Sequence, residues 1–374
     1  MNVLITGGAG FIGSRLCEKL FDQGYEITIL DNLSPQVHGS DSTLYNRIKE
    51  KCNFIKGDVR VIEDWKRALK DQDIVVHFAA ETGTGQSMYE VQRYNDVNVM
   101  GTSNLLQILA NSNHSIKKII LSSSRSIYGE GKYYSDTHGI QYPHNRKESD
   151  MIKGIFNPKC EHSSKEMRPL STDENSKIHP ISIYGMTKQY QEQMIMLISK
   201  SLGIPSVSLR YQNVYGPGQS LSNPYTGILS IFSTRILNGN DLEIYEDGLQ
   251  SRDFVFIDDV VDATILAIEK DKSNDQVFNV GSGEAINVKK VAEVLRDIYN
   301  VSNINISISG KFRLGDIRHN FADLSKINKL LGYSPKFSFM EGVSEFVKWV
   351  RSQEVQVDNY EKSIKELEQK GLFK

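Results

Sequence analysis

Short apolar segments alternate with amphipathic stretches through the first half of the chain. The apolar segments are rich in β-branched and aromatic residues and have the length of buried parallel strands; they are NVLIT, YEITILD, NFIKGD, DIVVHFAA, KKIILSSS and PSVSLRY. The stretches between them, such as FIGSRLCEKLFDQ and DVNVMGTSNLLQILANS, have the apolar spacing of helices. This alternation predicts an α/β fold built on a doubly wound parallel sheet.

The pattern becomes less regular after Tyr211, and this change suggests the domain limits. We predict a dinucleotide-binding domain over residues 1–211, with an insert near residues 130–180. A smaller α/β domain is predicted over residues 212–350, and some of its strands or helices can form part of the first domain. Residues 351–374 predict a helical tail of mixed charge, which suits a solvated surface or, as the alternative, a subunit contact.

Composition and charge narrow the classes of partner and compartment. The net charge of -2 gives no basic excess, so we expect no nucleic-acid partner. No uninterrupted apolar run of about 18 residues is present, and we expect no membrane span. Three scattered cysteines do not suggest a disulfide framework, and the first residues lack the features of a signal peptide. The expected compartment is the cytoplasm.

A glycine-rich turn, ITGGAGFIGS, joins the first predicted strand to the first predicted helix. Gly7, Gly10 and Gly13 let the backbone turn tightly and approach a pyrophosphate, which the helix N-terminus then binds. Asp31 ends the second strand, 18 residues after Gly13. A carboxylate at that place accepts hydrogen bonds from the adenosine ribose and repels a 2′-phosphate, so the pattern favours NAD over NADP.

Three side chains suggest hydride-transfer chemistry. Tyr184 and Lys188 are four residues apart on a predicted helix and therefore share one face. A nearby ammonium favours the tyrosinate, which then acts as a general base. Ser124 ends the fifth predicted strand, at the sheet edge where open α/β folds bind ligands, and can hold the oxygen that loses its proton.

The segments TGGAGFIG, HFAA, SSSRSIYG, YGMTK and RYQNVYGPG occur along roughly residues 1–350. In sequence and order they resemble the extended short-chain dehydrogenase/reductase family, whose fold is Rossmann-type, and in particular its NAD-dependent nucleotide-sugar epimerases and dehydratases. Within that family, GTGQSMYEVQRYNDVNVMGT, SSSRSIYGEGKY and FRLGDIRHNFAD are most similar to dTDP-L-rhamnose 4-epimerases, which interconvert dTDP-L-rhamnose and dTDP-6-deoxy-L-talose.

The resemblance implies a set of site residues and an assembly. The implied NAD-binding residues are Gly7, Gly10, Phe11, Ile12, Gly13, Asp31, Asn32, Asp58, Val59, Ala79, Ala80, Asn98, Tyr184 and Lys188. The implied residues for a nucleotide-diphosphate sugar, with a dTDP-6-deoxyhexose favoured, are Gln86, Ser87, Ser124, Arg125, Ser126, Asn213, Arg252, Arg313 and Asp316. Two long helices of the family pair with their copies, which implies a homodimer.

The two residues that follow Ser124 distinguish between the possible reactions. In 4,6-dehydratases of the family, an Asp and a Glu follow the Ser or Thr and eliminate water, whereas this chain has Arg125 and Ser126. Arginine stays protonated and serine is not basic, so the sequence favours a redox-neutral 4-epimerase. Arg125 either pairs with a carboxylate or contacts the substrate, and the role of Arg318 is open.

Other interpretations stay open at this stage. They are a UDP-glucose/UDP-galactose-type 4-epimerase, a dehydratase, a net reductase or dehydrogenase with exchangeable cofactor, and an NAD-binding regulator without catalysis. The polar insert is interpreted as a loop or lid over the sugar pocket. Its single cysteine, Cys160, with His162 nearby is too few ligands for tetrahedral zinc, so we expect no metal.

Overall fold

The computed structural model describes residues 1–39, 43–223, 225 and 227–374. Seven parallel strands form its central sheet. In spatial order they are Gln276–Val280, Ser206–Tyr211, Lys118–Ser124, Ile74–His77, Asn2–Thr6, Glu26–Asp31 and Asn53–Lys56. The strand order reverses on either side of the first strand, and a doubly wound sheet binds ligands at such a switch point. The predicted fold class is confirmed.

Two hydrophobic cores cover the two faces of this sheet. Along the first strand, Val3 and Ile5 belong to one core and Leu4 to the other, as the two-residue period of a strand requires. The first core includes the helices Phe11–Asp22 and Ile257–Glu269, and the second includes Ile62–Ala68, Gly101–Asn111 and Ile183–Leu202. Shorter helical segments are Pro35–His38, Thr43–Ile48, Thr84–Ser87, Val91–Tyr94, Asn95–Met100, Arg125–Tyr128 and Asp271–Ser273.

Smaller sheets follow the strand that ends at Tyr211. Asn213–Tyr215 pairs in parallel with Phe254–Phe256, and Leu242–Ile244 with Ile306–Ile308. A third sheet has Ser251–Arg252 between Ile286–Asn287 and His319–Asn320. The accompanying helices are Ile228–Leu237, Val288–Tyr299, Ser325–Leu331 and Phe339–Arg351. Because Gln276–Val280 lies in the central sheet, the chain leaves that sheet and comes back to it.

The insert near residues 130–180 folds into a small unit of its own. Tyr133–Ser135 pairs antiparallel with Gly139–Gln141 on one side and with Arg168–Pro169 on the other. The helix Glu148–Met151 lies between the last two of these strands along the chain. Tyr133, Cys160 and Met167 form a small buried core. Among the residues that the structure describes, no three His, Cys, Asp or Glu side chains gather as metal ligands.

Buried ion pairs attach the insert to the smaller sheets. Arg146 pairs with Glu130 at 3.2 Å and with Glu246 at 2.8 Å. The side chain of Arg318 is fully buried and pairs with Glu246 at 2.8 Å and with Asp247 at 2.7 Å. The position of Arg318 in this network resolves its open role in favour of structure, because its Nε also donates to a side chain of the insert, at 2.9 Å.

The chain ends in the expected helix, Tyr360–Gln369, but its surroundings differ from the expected solvated surface. Tyr360, Ile364 and Leu367 are buried together with Phe373 in a separate cluster. The mixed charge of the sequence predicts the exposed face, whereas the partners of the apolar face come from distant parts of the chain. Within the described residues, no helix is long and apolar enough to cross a membrane.

Candidate active site

The glycine-rich turn forms one end of a cavity with a volume of about 490 Å³. Gly7 has a positive φ of 67°, and a Cβ atom there would lie 2.8 Å from the backbone nitrogen of Ala79. A Cβ on Gly13 would lie 2.5 Å from the carbonyl oxygen of Gly7. Gly7 needs glycine because the backbone after the strand Ile74–His77 approaches the turn, and Gly13 because the first helix packs directly against the turn with its N-terminus at the cavity.

Asp31 lies in the cavity wall at the end of the second strand. Its carboxylate accepts hydrogen bonds from the backbone N–H groups of Ala9, at 3.0 Å, and Leu33, at 2.9 Å. The His38 ring nitrogen Nε2 lies 3.2 Å from the same carboxylate. Sequence reasoning missed His38, which lines the cavity seven residues after Asp31 and carries no motif that would have marked it.

Asp58 occupies the neighbouring strand end and also lines the cavity. Burial raises its pKa, but hydrogen bonds from Arg60 and Asn32 outweigh this and lower the pKa to about 2. Asn32 donates to the carboxylate of Asp58 at 3.0 Å. The two predicted residues therefore hold each other at the edge of the sheet, and the acid stays ionised at neutral pH.

Ser124, Tyr184 and Lys188 lie together at the other end of the cavity. The pKa of Tyr184 is raised, because burial outweighs a hydrogen bond with Ser124 and the positive charge of Arg125, which both lower it. The Lys188 ammonium donates to the carbonyl oxygen of Ser122 at 2.8 Å, and burial lowers its pKa to about 7. The three predicted catalytic residues thus share one buried site, and Arg125 is a further cation beside Tyr184.

The side chain of Arg125 turns from the strand end toward the smaller sheets. Its Nε donates to the side-chain oxygen of Asn213 at 2.7 Å. Burial and the neighbouring charge of Arg252 lower the pKa of Arg125 to about 10. Its hydrogen-bond partner is an amide, so this geometry does not supply the carboxylate partner considered from the sequence. Asn213 itself lines the cavity.

Arg252 and Asp316 form the centre of a charged cluster beside Arg125. Arg252 donates to the carboxylate of Asp316 at 2.8 Å and to backbone carbonyls at 2.7 to 3.0 Å. Burial raises the pKa of Asp316, but the charges of Arg252, Arg313 and Arg146 lower it below its usual value. Arg146 is already paired with two glutamates. Without Arg146, the arginines that face Asp316 are Arg125, Arg252 and Arg313, and their excess positive charge suits an anionic ligand.

The other predicted residues separate into two groups. Those that line the cavity are Gly7, Gly10, Phe11, Ile12, Gly13, Asp31, Asn32, Asp58, Val59, Ala79, Ala80, Ser124, Tyr184, Lys188 and Asn213. Asn98, Gln86, Ser87, Ser126, Arg125, Arg252, Arg313 and Asp316 lie outside its lining. Asn98 uses its amide to join the loop at Glu81 to the helix at Thr187, and Gln86 bonds to Gln36 at 2.8 Å.

The residues of this cavity fit the NAD expected from the sequence. A glycine turn with an open helix N-terminus suits the pyrophosphate, and a fixed carboxylate, Asp31, suits the adenosine ribose. At the far end, Lys188 and Tyr184 suit the nicotinamide ribose and the reacting oxygen. Among the contacts that the structure describes for the Asp31 carboxylate, His38 supplies the one titratable side chain.

Comparison with known proteins gives a consistent family. The model of the NAD dependent epimerase/dehydratase family matches residues 3–148 and 159–281. A dTDP-L-rhamnose 4-epimerase of Burkholderia thailandensis is 36% identical, over 94% of this chain and 95% of its own length. A putative UDP-glucose 4-epimerase of Methanocaldococcus jannaschii is 30% identical over 94% of this chain and 98% of its own.

Solved structures agree with these relatives. UDP-glucose 4-epimerase of Thermotoga maritima with UDP-glucose has a TM-score of 0.75 at 31% identity, covering 94% of this chain and 99% of that chain. UDP-glucuronic acid 4-epimerase of Bacillus cereus, in complex with UDP-glucuronic acid and NAD, has a TM-score of 0.76 at 28% identity with the same coverage. The chain therefore belongs to the NAD dependent epimerase/dehydratase family, and NAD is its cofactor.

Proposed function

We propose that this protein is a nucleotide-sugar 4-epimerase that interconverts dTDP-L-rhamnose and dTDP-6-deoxy-L-talose. The observation that carries the reaction type is the site of Ser124, Tyr184 and Lys188 at the end of the cofactor cavity. The relative of Burkholderia thailandensis supports the sugar, since it is a dTDP-L-rhamnose 4-epimerase and aligns along almost the whole chain.

The chain's own residues have distinct roles in the proposed reaction. Tyr184 accepts the proton of the sugar C4 hydroxyl, and Ser124 holds the C4 oxygen by a hydrogen bond. Bound NAD supplies the hydride acceptor for C4 and, once the sugar presents its other face, the hydride donor. Tyr184 then returns the proton to the C4 oxygen. One C–H and one O–H bond break and form again, so the reaction leaves no net oxidation.

The charged cluster fits the fixed end of such a substrate. A sugar that turns over within the site needs a diphosphate that stays in place. Arg125, Arg252 and Arg313 around Asp316 give the excess positive charge for a diphosphate, and arginine binds phosphate oxygens through paired hydrogen bonds. The same Arg125 stands where a dehydratase needs a carboxylate, which supports epimerisation rather than elimination of water.

A substrate comparison tests the choice of sugar. Two UDP-sugar 4-epimerases have similar overall structures, and they favour the second candidate, a UDP-sugar 4-epimerase. We expect kcat/KM for dTDP-L-rhamnose to exceed that for UDP-glucose by at least about 100-fold, as buried hydrogen bonds to one sugar leave polar groups unpaired with another. An equal or higher kcat/KM for UDP-glucose would leave the proposed mechanism intact and favour a UDP-sugar as the substrate.

Replacing Arg125 by methionine is expected to shift the pH profile. Tyr184 acts in its deprotonated form, and Arg125 lowers the pKa of that phenol. Removal of the cation raises this pKa, so the acid limb of kcat/KM moves to higher pH by about one unit. Arg125→Lys keeps a positive charge and is the matched control, expected to shift the limb less. Identical acid limbs in the wild type and Arg125→Met would contradict the electrostatic role.

We also propose a homodimer, formed through the helix Ile183–Leu202 and the helical segment Asn95–Asn111. Four apolar side chains of these segments are solvent-exposed in the single chain: Met100, Met186, Tyr190 and Leu197, the last 69% exposed. Exposed apolar side chains on neighbouring helices suit a subunit interface. Light scattering is expected to give twice the chain mass, and a mass of one chain at micromolar concentration would contradict the dimer.

A further inference from the structure

The end of the chain pairs with the segment that carries Arg313. The backbone N–H of Phe312 donates to the carbonyl oxygen of Lys374 at 2.8 Å, and the N–H of Lys374 donates back at 3.0 Å. The antiparallel bridge places Phe373 opposite Arg313. The backbone of a predicted substrate-binding arginine is thus fixed by the last residues of the chain.

Side-chain contacts join the same two segments. The guanidinium carbon of Arg313 lies 5.0 Å from the ring centre of Tyr245, and the ring centres of Tyr245 and Phe373 are 4.8 Å apart. The Tyr245 hydroxyl bonds to the hydroxyl of Tyr360, the first residue of the terminal helix. In the described structure the Nε of Arg313 is buried with no hydrogen-bond partner. The tail therefore fixes the position of the Arg313 guanidinium, whose Nε–H group has no hydrogen-bond acceptor among the described contacts.

A second contact joins the tail to the cofactor cavity. Tyr225 lines that cavity, and its hydroxyl donates to the carboxylate of Glu366 in the terminal helix. The hydroxyl of Tyr89 donates to Tyr225 at 2.9 Å. Glu366 thus ends a chain of hydrogen bonds that fixes one aromatic side chain of the cavity wall. Neither contact was foreseen from the sequence, because the partners are about 60 residues apart for Arg313 and Phe373 and 141 residues apart for Tyr225 and Glu366.

We propose that the C-terminal segment Tyr360–Lys374 supports one wall of the nucleotide-sugar site from behind. Glu366 and Phe373 are positioning residues, which act through Tyr225 and Arg313 on a bound nucleoside diphosphate. The inference rests on the proposed function, since it assigns a role within the same site. It gives the tail a part in substrate binding and none in the hydride or proton transfer, which takes place at the sheet edge.

The test measures binding and turnover separately in the full-length protein with its NAD. We expect Glu366→Ala and Phe373→Ala each to raise the Kd for dTDP, by calorimetry, and the KM for dTDP-L-rhamnose about tenfold, because a fixed contact is lost. The value of kcat is expected to stay within about threefold. Glu368→Ala is the matched control, since Glu368 is an exposed glutamate of the same helix, and it should change neither constant.

Two conservative variants separate positioning from general damage to the fold. Glu366→Gln keeps an acceptor oxygen for Tyr225 and should recover most of the binding that Glu366→Ala loses. Tyr225→Phe removes only the hydroxyl and should weaken dTDP binding as Glu366→Ala does, with unchanged NAD content and melting temperature. Equal Kd values for Glu366→Ala and Glu368→Ala, or a fall in kcat without a change in Kd, would overturn the inference.

The same experiment distinguishes this inference from the proposed substrate. If wild-type protein turns over no dTDP-L-rhamnose, yet the Kd for dTDP or UDP rises in Glu366→Ala and not in Glu368→Ala, the tail keeps its role and only the substrate is overturned. If the sugar is turned over but the two variants bind dTDP equally, the substrate stands and the tail inference falls. Failure of wild-type protein to bind either dTDP or UDP would overturn both.

Discussion

Replacing Tyr184 by phenylalanine is expected to lower kcat by about 10³-fold while NAD and the nucleotide sugar stay bound. The phenol hydroxyl is the group placed beside Ser124 to accept and return the C4 proton, and general acid–base catalysis contributes about 10²- to 10⁴-fold. Phenylalanine keeps the ring that packs edge-on to Tyr94, so the fold should not change. The measurements are kcat, the Kd for dTDP, and the NAD content after acid release.

A second tyrosine on the same helix is the matched control for this prediction. Tyr190 lies six residues after Tyr184 and is 52% exposed. Tyr190 lies on the face proposed for the dimer and outside the cavity lining, and Tyr190→Phe deletes the same hydroxyl but keeps the apolar ring, so kcat should stay close to the wild-type value. Turnover at the wild-type rate in Tyr184→Phe would remove the base from the proposed mechanism. Loss of NAD from that variant would instead show that the tyrosine holds the cofactor.

Replacing Arg318 by methionine is expected to lower the free energy of unfolding by about 3 to 5 kcal/mol. The guanidinium is fully buried and pairs with Glu246 and Asp247. Methionine fills much of the volume but leaves the carboxylate of Glu246, which is 4% exposed, with one cation instead of two. Urea unfolding followed by circular dichroism measures the change.

An exposed ion pair provides the control for the buried one. Arg67 pairs with Asp64 at 2.6 Å, but its side chain is 59% exposed. Arg67→Met should change the free energy of unfolding by less than about 1 kcal/mol, because water screens a surface pair. A loss of less than about 1 kcal/mol in Arg318→Met as well would mean that the insert is not held to the smaller sheets by this network.

The central sheet could be predicted from the sequence because its signals are local. The strand Lys118–Ser124 has an apolar centre at residues 119–121 and is buried throughout, and the turn before Phe11–Asp22 is recognisable by its glycines. Ser124 and Tyr184 could be placed at one sheet edge because the ends of parallel strands meet there. Sequence spacing and the family resemblance were therefore enough to place the glycine turn, the acids at the strand ends and the three catalytic candidates in one cavity, but not to name most of the residues that line it.

The remaining contacts depend on where distant segments meet. His38 reaches Asp31 through a short helix without a motif, and Glu366 reaches Tyr225 across 141 residues. The charge of Arg125 on Tyr184, which adds to the role predicted for Lys188, depends on the direction in which a side chain leaves a strand end. The apolar periodicity of a sequence does not indicate the direction of a side chain. The contacts of the tail and the charges that act on Tyr184 could therefore be found only from the structure.

The most direct test of the account uses dTDP-L-rhamnose that carries deuterium at C4, incubated with purified protein and no added cofactor. The account predicts dTDP-6-deoxy-L-talose that keeps its deuterium at C4, and the same final ratio of the two sugars from either starting side. NMR measures the sugars and the label together. Exchange of the label for solvent hydrogen, or no second sugar from any nucleotide sugar tested, would contradict a C4 inversion in which the hydride returns within one site.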